Sequence, residues 1–434
     1  MPAAPYTSQL AQQLAPDLLE RFQRYTRVDT QSRRERTRSP STPGQLELGR
    51  LLVAELREAG LADAELDENG YVLATLDGAQ PTIGLIAHLD TSPDAPGHGV
   101  EPIVHRDWGG EVIELPKGGT RLDPQTMPEL QSKRGHTLVS SSGDTLLGAD
   151  DKAGVAAIMA AVAHLAAHPE LPHPRLRIAF TPDEEIGEGA TLLDIERFGA
   201  CCAYTIDGSE LGELQDESFS ALEAIIDVHG IEVHPGQAAG KMVNALRLAA
   251  NILARLPADT LTPETTAGRE GFIHPTELSG TASSAQIRAI VRDFDEQLLQ
   301  QHLALLERTA REVAQAEPRA KLDFEVRRQY RNMHEYLAAL PAVVAAAQQA
   351  LIEEGIEPRR NPIRGGTDGS RLSEMGLPTP NIFDGGHEFH SVREWASLQD
   401  MAAAAAVIVR LAAVWSRDEF AAGAPVSSAS KPLV

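Results

Sequence analysis

An alternation of short apolar runs and helical repeats between residues 144 and 206 is the feature that most constrains the fold. Short apolar runs predict buried strands, whereas apolar residues spaced three and four positions apart predict helices. The predicted elements are, in order, a strand at 144–147, a helix at 152–168, a strand at 175–181, a helix at 190–198 and a strand at 203–206. This order is typical of a doubly wound α/β domain with a mostly parallel sheet.

Further elements extend this domain on both sides. The segment from residue 91 to 142 has no sustained period and is predicted to be a long loop, a kind of segment that is usually functional. The other predictions for this domain are helices at 8–28, 45–59, 341–353 and 398–415, strands at 64–66, 71–76, 82–88 and 380–384, and a loose tail from about residue 420.

The pattern changes between the two parts of that domain. Strands are predicted at 221–230, 284–291 and 321–329, and helices at 241–256 and 296–316, with a Thr- and Gly-rich link before residue 284. This order predicts an α+β unit of βαβ-βαβ, or ferredoxin-like, type that is inserted into the α/β domain. The predicted boundaries are 1–215 for the first part of the α/β domain, 216–332 for the insert and 333–434 for the second part.

The composition restricts the partners. Asp and Glu number 62 against 39 Lys and Arg, a formal net charge of -23, which disfavours nucleic acid and anionic membranes and suits hard cations. The two cysteines, Cys201 and Cys202, are adjacent and predicted to be core residues, so no disulfide framework exists. Without a signal-like amino terminus or a run of eighteen apolar residues, we expect a soluble cytoplasmic protein.

The stretch TLLGADD at residues 145–151 is predicted to carry the site. It delivers Asp150 and Asp151 together to a strand-to-helix junction. In open α/β sheets ligands collect at the carboxyl ends of strands, and one carboxylate can hold a metal ion on each oxygen. The alternative for this pair is an Asp N-cap of the following helix.

Four further metal-type residues are also predicted to follow strands, and they favour the first interpretation. Together the five side chains are two imidazoles and three carboxylates, a set that suits zinc, cobalt or manganese better than a thiolate zinc site does. No single motif decides this; the joint occurrence does. The candidates are His88 in AHLDTSPD, Asp150 in GADDKAG, Glu185 in TPDEEIGEG, Asp207 in TIDGSE and His390 in FHSVRE.

Longer motifs carry a resemblance to a known family. They are HLDTSPD, TLLGADDKAG, FTPDEEIGEGA, YTIDG, VHPG with GKMVNAL, IVRDFD, PIRGGTDG and GLPTPNIF. From about residue 18 to 415 the chain resembles the peptidase T branch of the two-zinc aminopeptidases and carboxypeptidases. The resemblance implies hydrolysis of the amino-terminal residue from tripeptides by hydroxide held on two zinc ions per chain, with cobalt or manganese as alternatives. It also implies that the insert is a lid or dimerisation domain, which would make the chain a homodimer.

The resemblance divides the five candidate ligands between two ions. Asp150 would bridge both ions. His88 and Asp207 would complete the coordination of one ion, and Glu185 and His390 that of the other.

Other residues receive roles around these ions. Asp90 would accept the second imidazole N–H of the first histidine ligand and so orient it. Glu184 would be the general base, and His234 of the insert would stabilise the oxyanion once the insert closes over the site. The peptide bond between Asp150 and Asp151 is implied to be cis.

Three residues are implied to bind substrate. Arg292 and Arg364 would bind the terminal carboxylate of the peptide, which a guanidinium fork fits well, and Asn244 would hold the peptide backbone. Ordinary alternatives exist, since Arg292 can pair with Asp293 or Asp295 and Asn244 can satisfy a helix or loop.

Alternative functions remain open at this point. A dipeptidase, a carboxypeptidase or a deacylase of N-acyl amino acids would use the same metals with another pocket, and a catalytically inactive relative would bind peptide or metal only. Ser209, Ser391 and Trp395 depart from the family pattern beside the predicted site, so they bear on substrate preference.

Overall fold

The computed structural model describes residues 5–425, which form two compact units. Within the described residues, unit 1 contains 5–216, 333–361 and 367–425, and unit 2 contains 217–332 and 362–366. The segment 362–366 belongs to unit 2 although it is distant in sequence, because the N–H of Phe219 donates to the carbonyl of Ile363 (3.0 Å). The loose tail predicted from about residue 420 begins inside a short helix, Asp418–Ala421, and its residues from 426 on lie outside the described part of the chain.

The regular elements are numbered in chain order. The strands are β1 (Glu65–Leu66), β2 (Val72–Leu76), β3 (Ala79–His88), β4 (Ile103–His105), β5 (Ile113–Glu114), β6 (Arg121–Leu122), β7 (Leu138–Ser140), β8 (Pro174–Thr181), β9 (Cys202–Gly208), β10 (Leu214–Gln215), β11 (Ser220–His229), β12 (Phe272–Gly280), β13 (Ser284–Asp293), β14 (Lys321–Tyr330), β15 (Asn381–Phe383), β16 (Gly386–His387) and β17 (Trp395–Ser397). The helices are α1 (Gln9–Thr26), α2 (Pro43–Glu58), α3 (Pro128–Gln131), α4 (Ala149–Ala167), α5 (Ile195–Phe198), α6 (Ala245–Ala254), α7 (Glu296–Gln315), α8 (His334–Leu337), α9 (Pro341–Glu353), α10 (Asp368–Glu374), α11 (Leu398–Trp415) and α12 (Asp418–Ala421).

The main sheet of unit 1 has the strand order β1-β2-β8-β3-β9-β15-β10. Its centre, from β8 to β15, is parallel, and the outer strands on both sides pair antiparallel. The central strands are almost continuously buried, as expected for parallel strands covered by helices. The predicted α/β fold class is therefore confirmed, with a sheet that is mixed at its edges.

Helix α4 packs on β3 and β9 and contacts α1 and α11. This approach depends on Gly154, because a Cβ there would lie 1.8 Å from the carbonyl oxygen of Ile206 in β9. The glycine of the ADDKAG motif therefore lets the helix that begins with the acidic pair lie directly on the central strands.

Helix α11 is long and apolar enough to cross a membrane by length and composition alone. Most of its residues are buried inside unit 1, where it packs against α1, α4 and α9. Core helices of globular domains commonly have this composition, and α11 belongs to the core of unit 1.

A second sheet in unit 1 has the order β16-β17-β7-β4. The prediction of a loop throughout residues 91–142 was therefore wrong, because that segment contains β4 to β7 and α3. These strands are two or three residues long, too short to show a period. An apolar cluster that includes Trp108, Leu122, Leu138 and Trp395 holds the segment in place.

Two other predicted elements differ in the structure. Residues 144–147 are irregular, because the N–H of Leu146 donates to Pro96 (2.9 Å) and that of Leu147 to the Glu394 carboxylate (2.7 Å) instead of to a neighbouring strand. The helix predicted at 190–198 is only Ile195–Phe198, and it begins where the Asp194 side chain caps it.

Unit 2 has one antiparallel sheet, β12-β13-β11-β14, with α6 and α7 packed on it. Its core is formed by apolar side chains of β11, β13 and the two helices. This is the predicted ferredoxin-like arrangement. Strand β12 was missed because it carries Pro275 beside a register shift and ends in polar residues, features that are typical of an edge strand.

Candidate active site

His88 is the last residue of β3, where the apolar run ends in a polar side chain. It is buried, and its Nε2 lies 2.8 Å from Asp150 Oδ1 and 3.6 Å from Asp207 Oδ1. Asp207 lies near the end of the neighbouring parallel strand β9. The two strands therefore bring both side chains to the same edge of the sheet, as their positions in the sequence predicted.

The second oxygen of Asp150 contacts the other predicted histidine. Asp150 Oδ2 lies 3.1 Å from His390 Nε2, which is also 2.8 Å from Glu185 Oε2. All five predicted ligands therefore form one cluster in unit 1, with the Asp150 carboxylate between its two histidines.

The donor set fits divalent metal ions. Two sets of three residues could each hold a metal ion, because the ligand atoms within each set lie within 4.8 Å of one another. The sets are His88, Asp150 and Glu185, and His88, Asp151 and Asp207. Glu185 Oε1 and Asp151 Oδ1 are buried without a hydrogen-bond partner. Buried carboxylate oxygens without a donor are costly, and cations held there would satisfy them.

Burial and the clustered charges shift the pKa of several groups in this cluster. Burial raises the pKa of Glu185 to about 8, with a further rise from Asp150, and burial raises that of Glu184 well above its usual range. Hydrogen bonds to Asp150 and Glu185 raise the pKa of His390 to about 11. Burial opposes ionisation of Asp150, yet its bonds with His390 and His88 hold the pKa of this carboxyl below its usual range. The metal-free cluster therefore retains protons that bound cations would displace.

Asp90 is completely buried beside the cluster, where both its backbone and its side chain have partners. The closest partner of His88 Nδ1 is the Asp90 backbone carbonyl at 3.0 Å, and the Asp90 carboxylate is more distant at 3.4 Å. The carboxylate instead accepts the N–H groups of Glu184 (2.9 Å) and Glu185 (3.2 Å). Asp90 thus orients His88 mainly through its backbone and holds the Glu184–Ile186 turn with its side chain.

The peptide bond between Asp150 and Asp151 is cis, as the resemblance implied. Neither residue is the N-cap of α4; that position is Gly148, in the left-handed region at φ 78°, and no side chain caps the helix there. The Asp151 carboxylate accepts the backbone N–H of His88 (3.0 Å). The alternative interpretation of the acidic pair as an N-cap was therefore wrong.

The prediction that His390 directly follows an apolar strand was wrong. Strand β15 ends at Phe383, and His390 lies in the connection between the short strands β16 and β17, at φ 59°. The second sheet of unit 1 therefore supplies this histidine, and the main sheet supplies His88 and Asp207.

Glu394 was not singled out from the sequence. It is buried, and its Oε2 accepts the N–H groups of Leu147 (2.7 Å) and Gly148 (2.8 Å) while its Oε1 accepts that of Asp150 (3.0 Å). Burial raises its pKa to about 7. Its place four residues after His390 was the only available signal, and a lone glutamate in a turn is ordinarily solvated.

Two of the three departures from the family pattern, Ser209 and Trp395, contact His387. Its ring stacks on Trp395 with 4.0 Å between centroids, and its Nδ1 is 3.3 Å from Ser209 Oγ. Burial lowers the pKa of His387 to about 3, so the ring is neutral at physiological pH. Ser391 caps its own turn by accepting the N–H of Arg393 (2.9 Å).

The two predicted substrate arginines lie together in unit 2. Arg292 donates to the Arg364 carbonyl (3.4 Å) and lies over the rings of Phe272 and Tyr330. Arg364 donates to backbone carbonyls of the 266–270 segment, at 2.8 to 3.2 Å, and lies 5.2 Å from the Phe219 ring. Neither forms the ion pairs with Asp293 or Asp295 that were the alternative for Arg292.

His234 and Asn244 each begin a helical turn of unit 2. His234 Nδ1 accepts the N–H of Gly236 (3.2 Å) at a 3₁₀ turn. Asn244 is the N-cap of α6, and its Oδ1 accepts the N–H of Arg247 (3.1 Å). The ordinary interpretation of Asn244 as a capping residue is thus observed, and its contact with substrate stays a prediction.

Known proteins resemble this chain over most of its length. The model of peptidase family M20/M25/M40 matches residues 143–414. The protein named Peptidase T from Shouchella clausii is 47% identical over 400 residues, which are 91% of this chain and 97% of that protein. Peptidase T from Bacillus subtilis is 46% identical over 401 residues, with 91% and 98% covered.

Solved structures share the fold. Aminopeptidase PepT from Bacillus cereus has a TM-score of 0.71 at 22% identity, and a tripeptidase from Staphylococcus aureus has 0.73 at 21%; each comparison covers 93% of this chain and 99% of the other. A Bacillus subtilis protein described as a dinuclear metal-binding peptidase of family M20 has 0.62 at 15%, with 93% and 98% covered. The chain belongs to peptidase family M20/M25/M40, which confirms the resemblance read from its motifs.

Proposed function

We propose that this chain is a metal-dependent aminopeptidase that removes the amino-terminal residue from tripeptides. The observation that carries the proposal is the Asp150 carboxylate, whose two oxygens contact two different histidines, His88 and His390. A pair of divalent ions requires a shared ligand of this kind between two donor sets. The relatives named Peptidase T and the neighbour described as a tripeptidase support tripeptides as the substrate class.

The residues that would hold the ions follow from these contacts. His88 and Asp207 would hold one ion, Glu185 and His390 the other, and Asp150 both. When bound, two such ions lower the pKa of the water between them toward about 7 and polarise the scissile carbonyl. Zinc is the proposed metal, and cobalt and manganese accept the same ligands.

Glu184 is the proposed general base. As a general base, its carboxylate would take a proton from water and give it to the leaving amine. Burial raises the pKa of this carboxyl, which makes its ionised form a stronger base. Its backbone N–H is bound by the Asp90 carboxylate at 2.9 Å, which holds the turn that carries the side chain. The geometry of the turn therefore serves both Glu184 and the adjacent ligand Glu185.

Four unit 2 residues complete the proposal. His234 would stabilise the oxyanion, Arg292 and Arg364 would bind the terminal carboxylate, and Asn244 would bind the peptide backbone. Loss of an oxyanion donor typically lowers kcat by about 100- to 1,000-fold. Loss of a carboxylate-binding arginine should mainly raise KM. Alanine variants assayed on one tripeptide would separate these roles.

Unit 2 is also the proposed surface for pairing two chains. The apolar side chains of Leu278 in β12 and Val326 in β14 are each 41% exposed on its outer strands. Size-exclusion chromatography with light scattering would measure the molar mass in solution, and the mass of a single chain would contradict the proposed dimer.

A cytoplasmic location, with no nucleic-acid or membrane partner, is proposed from the acidic composition.

Digestion of one tripeptide in three forms, free, N-acetylated and C-amidated, tests the activity. The free tripeptide should lose its amino-terminal residue, the N-acetylated form should be resistant, and metal analysis should find two ions per chain. Release of the carboxyl-terminal residue would indicate a carboxypeptidase, and cleavage of the acyl group would indicate a deacylase. Binding of the free tripeptide without cleavage would indicate an inactive relative.

A further inference from the structure

The Glu394 carboxylate connects two distant segments that carry proposed metal ligands. One segment is its own turn, in which His390 lies four residues earlier. The other runs from the end of the loop before α4 into the first turn of that helix, and its N–H groups at Leu147, Gly148 and Asp150 all donate to this one carboxylate. Glu394 is 1% exposed, so water does not compete effectively for these bonds.

The backbone is irregular where α4 begins. Gly148 is in the left-handed region, and Asp150 and Asp151 have non-helical backbone angles although they lie in the first turn of α4. Because Asp150 lies in the first turn of α4, its N–H has no acceptor within the helix. A buried N–H without an acceptor is unfavourable, and Glu394 supplies the acceptor from outside the segment.

We infer that Glu394 is a positioning residue that fixes the Asp150 carboxylate relative to His390, so that one side chain can serve two ions. This inference rests on the proposed metal centre. Because Glu394 immediately precedes β17, and β17 pairs with β7, the second sheet of unit 1 determines where both segments lie. Glu394 does not itself touch the proposed ions; it acts through Asp150.

Glutamine in place of Glu394 separates positioning from packing. The amide has nearly the same shape, and its oxygen can still accept the N–H groups of Leu147 and Gly148. Its NH₂ group then faces the N–H of Asp150, and two donors cannot bond to each other. The variant should keep the fold and release only the segment that carries Asp150.

A matched control is Glu354→Gln. Glu354 is also 1% exposed in unit 1, and it accepts Thr7 Oγ1 (2.8 Å) and Arg410 Nε (3.2 Å) away from the ligands. A general effect of replacing a buried glutamate would appear in both variants. An effect on metal binding should appear only in Glu394→Gln.

The experiment compares wild type, Glu394→Gln and Glu354→Gln by Zn²⁺ titration against a competing chelator, and by amide hydrogen exchange of residues 144–152 in the metal-free proteins. Residues that orient metal ligands typically contribute about 10- to 100-fold in metal affinity, so Glu394→Gln should weaken Zn²⁺ binding by about that factor and speed exchange of the segment. The control should match wild type in both measurements.

Metal affinity within about twofold of wild type, or unchanged exchange of the segment, would overturn the inference. If Glu394→Gln does not fold, Glu394→Asp carries the same test, because it keeps the charge and withdraws both oxygens by one methylene. A wild-type protein that binds two ions without cleaving tripeptides would contradict the proposed activity but not this inference, since neither measurement depends on turnover.

Discussion

The metal-ligand cluster of unit 1 and the predicted substrate residues of unit 2 differ in the hydrogen-bond partners of their polar side chains. In unit 1 the proposed ligands contact one another, and separate carboxylates, those of Asp90 and Glu394, bind the backbone around them. In unit 2 Arg364 and Asn244 bind the backbone of their own unit. Substitutions in the unit 1 cluster should therefore affect metal and turnover first, and those in unit 2 should also affect stability.

The largest expected effect comes from Glu184→Ala. Removal of a general base lowers turnover by about 100- to 10,000-fold, whereas the five proposed ligands stay in place, so the metal content should be unchanged. The measurements are kcat on a free tripeptide and metal content per chain. Glu188→Ala is the control, since Glu188 lies just after the same turn but pairs with Arg36 at 2.7 Å. A loss of metal in Glu184→Ala would contradict the assignment of Glu184 as a general base that does not bind the metal.

The next effect is a pH dependence of metal binding in the unit 1 cluster. The pKa of His390 is raised to about 11 and that of Glu185 to about 8, so near neutral pH both retain protons in the metal-free protein. Ligands must lose these protons to bind a cation. Apparent Zn²⁺ affinity should therefore rise with pH between about 6 and 8, by about tenfold per unit for each displaced proton. A chelator competition series with measured proton release checks this, and a flat profile would contradict it.

Arg364→Ala should lower the free energy of unfolding by about 2 kcal/mol. A charged donor to backbone carbonyls typically contributes about 1.5 to 3 kcal/mol, and the contact with the Phe219 ring is also lost. Urea denaturation measures the change. Arg255→Ala is the control in the same unit, because Arg255 is exposed and its side chain bonds to Asn251 (3.3 Å) within its own helix. Equal stability of both variants would mean that Arg364 is not a structural residue and would strengthen its proposed substrate role.

The smallest expected effect is about 1 kcal/mol for Asn244→Ala, the usual contribution of an N-cap. Asn244→Asp keeps an oxygen that can accept the N–H of Arg247, so it should retain the stability of wild type. Thermal unfolding of the two variants gives the difference. If KM for a tripeptide rises in Asn244→Asp although stability does not change, Asn244 binds substrate in addition to capping α6.

Much of the fold could be predicted because its signals are local. Helices α9 and α11 have the predicted bounds, since their apolar residues repeat over several turns. The short strands β4 to β7 could not be predicted, because two or three residues show no period. The edge strand β12 could not be predicted, because it contains Pro275, which is unusual inside a strand. The irregular segment at 144–147 was mistaken for a strand, because its apolar residues pack without a neighbouring strand.

The sequence by itself determined which side chains were proposed for the site, because the five proposed ligands and Glu184 stand in motifs that are recognisable without coordinates. Tertiary structure decided how they are held. The side chain of Asp90 binds the 184–185 turn, and Glu394 accepts the backbone N–H of Asp150 from 244 positions away. Such bonds join segments distant in sequence, and whether a carboxylate meets a backbone N–H there depends on how the two sheets of unit 1 fold. No local sequence pattern predicts these long-range hydrogen bonds, so they were found only in the folded structure.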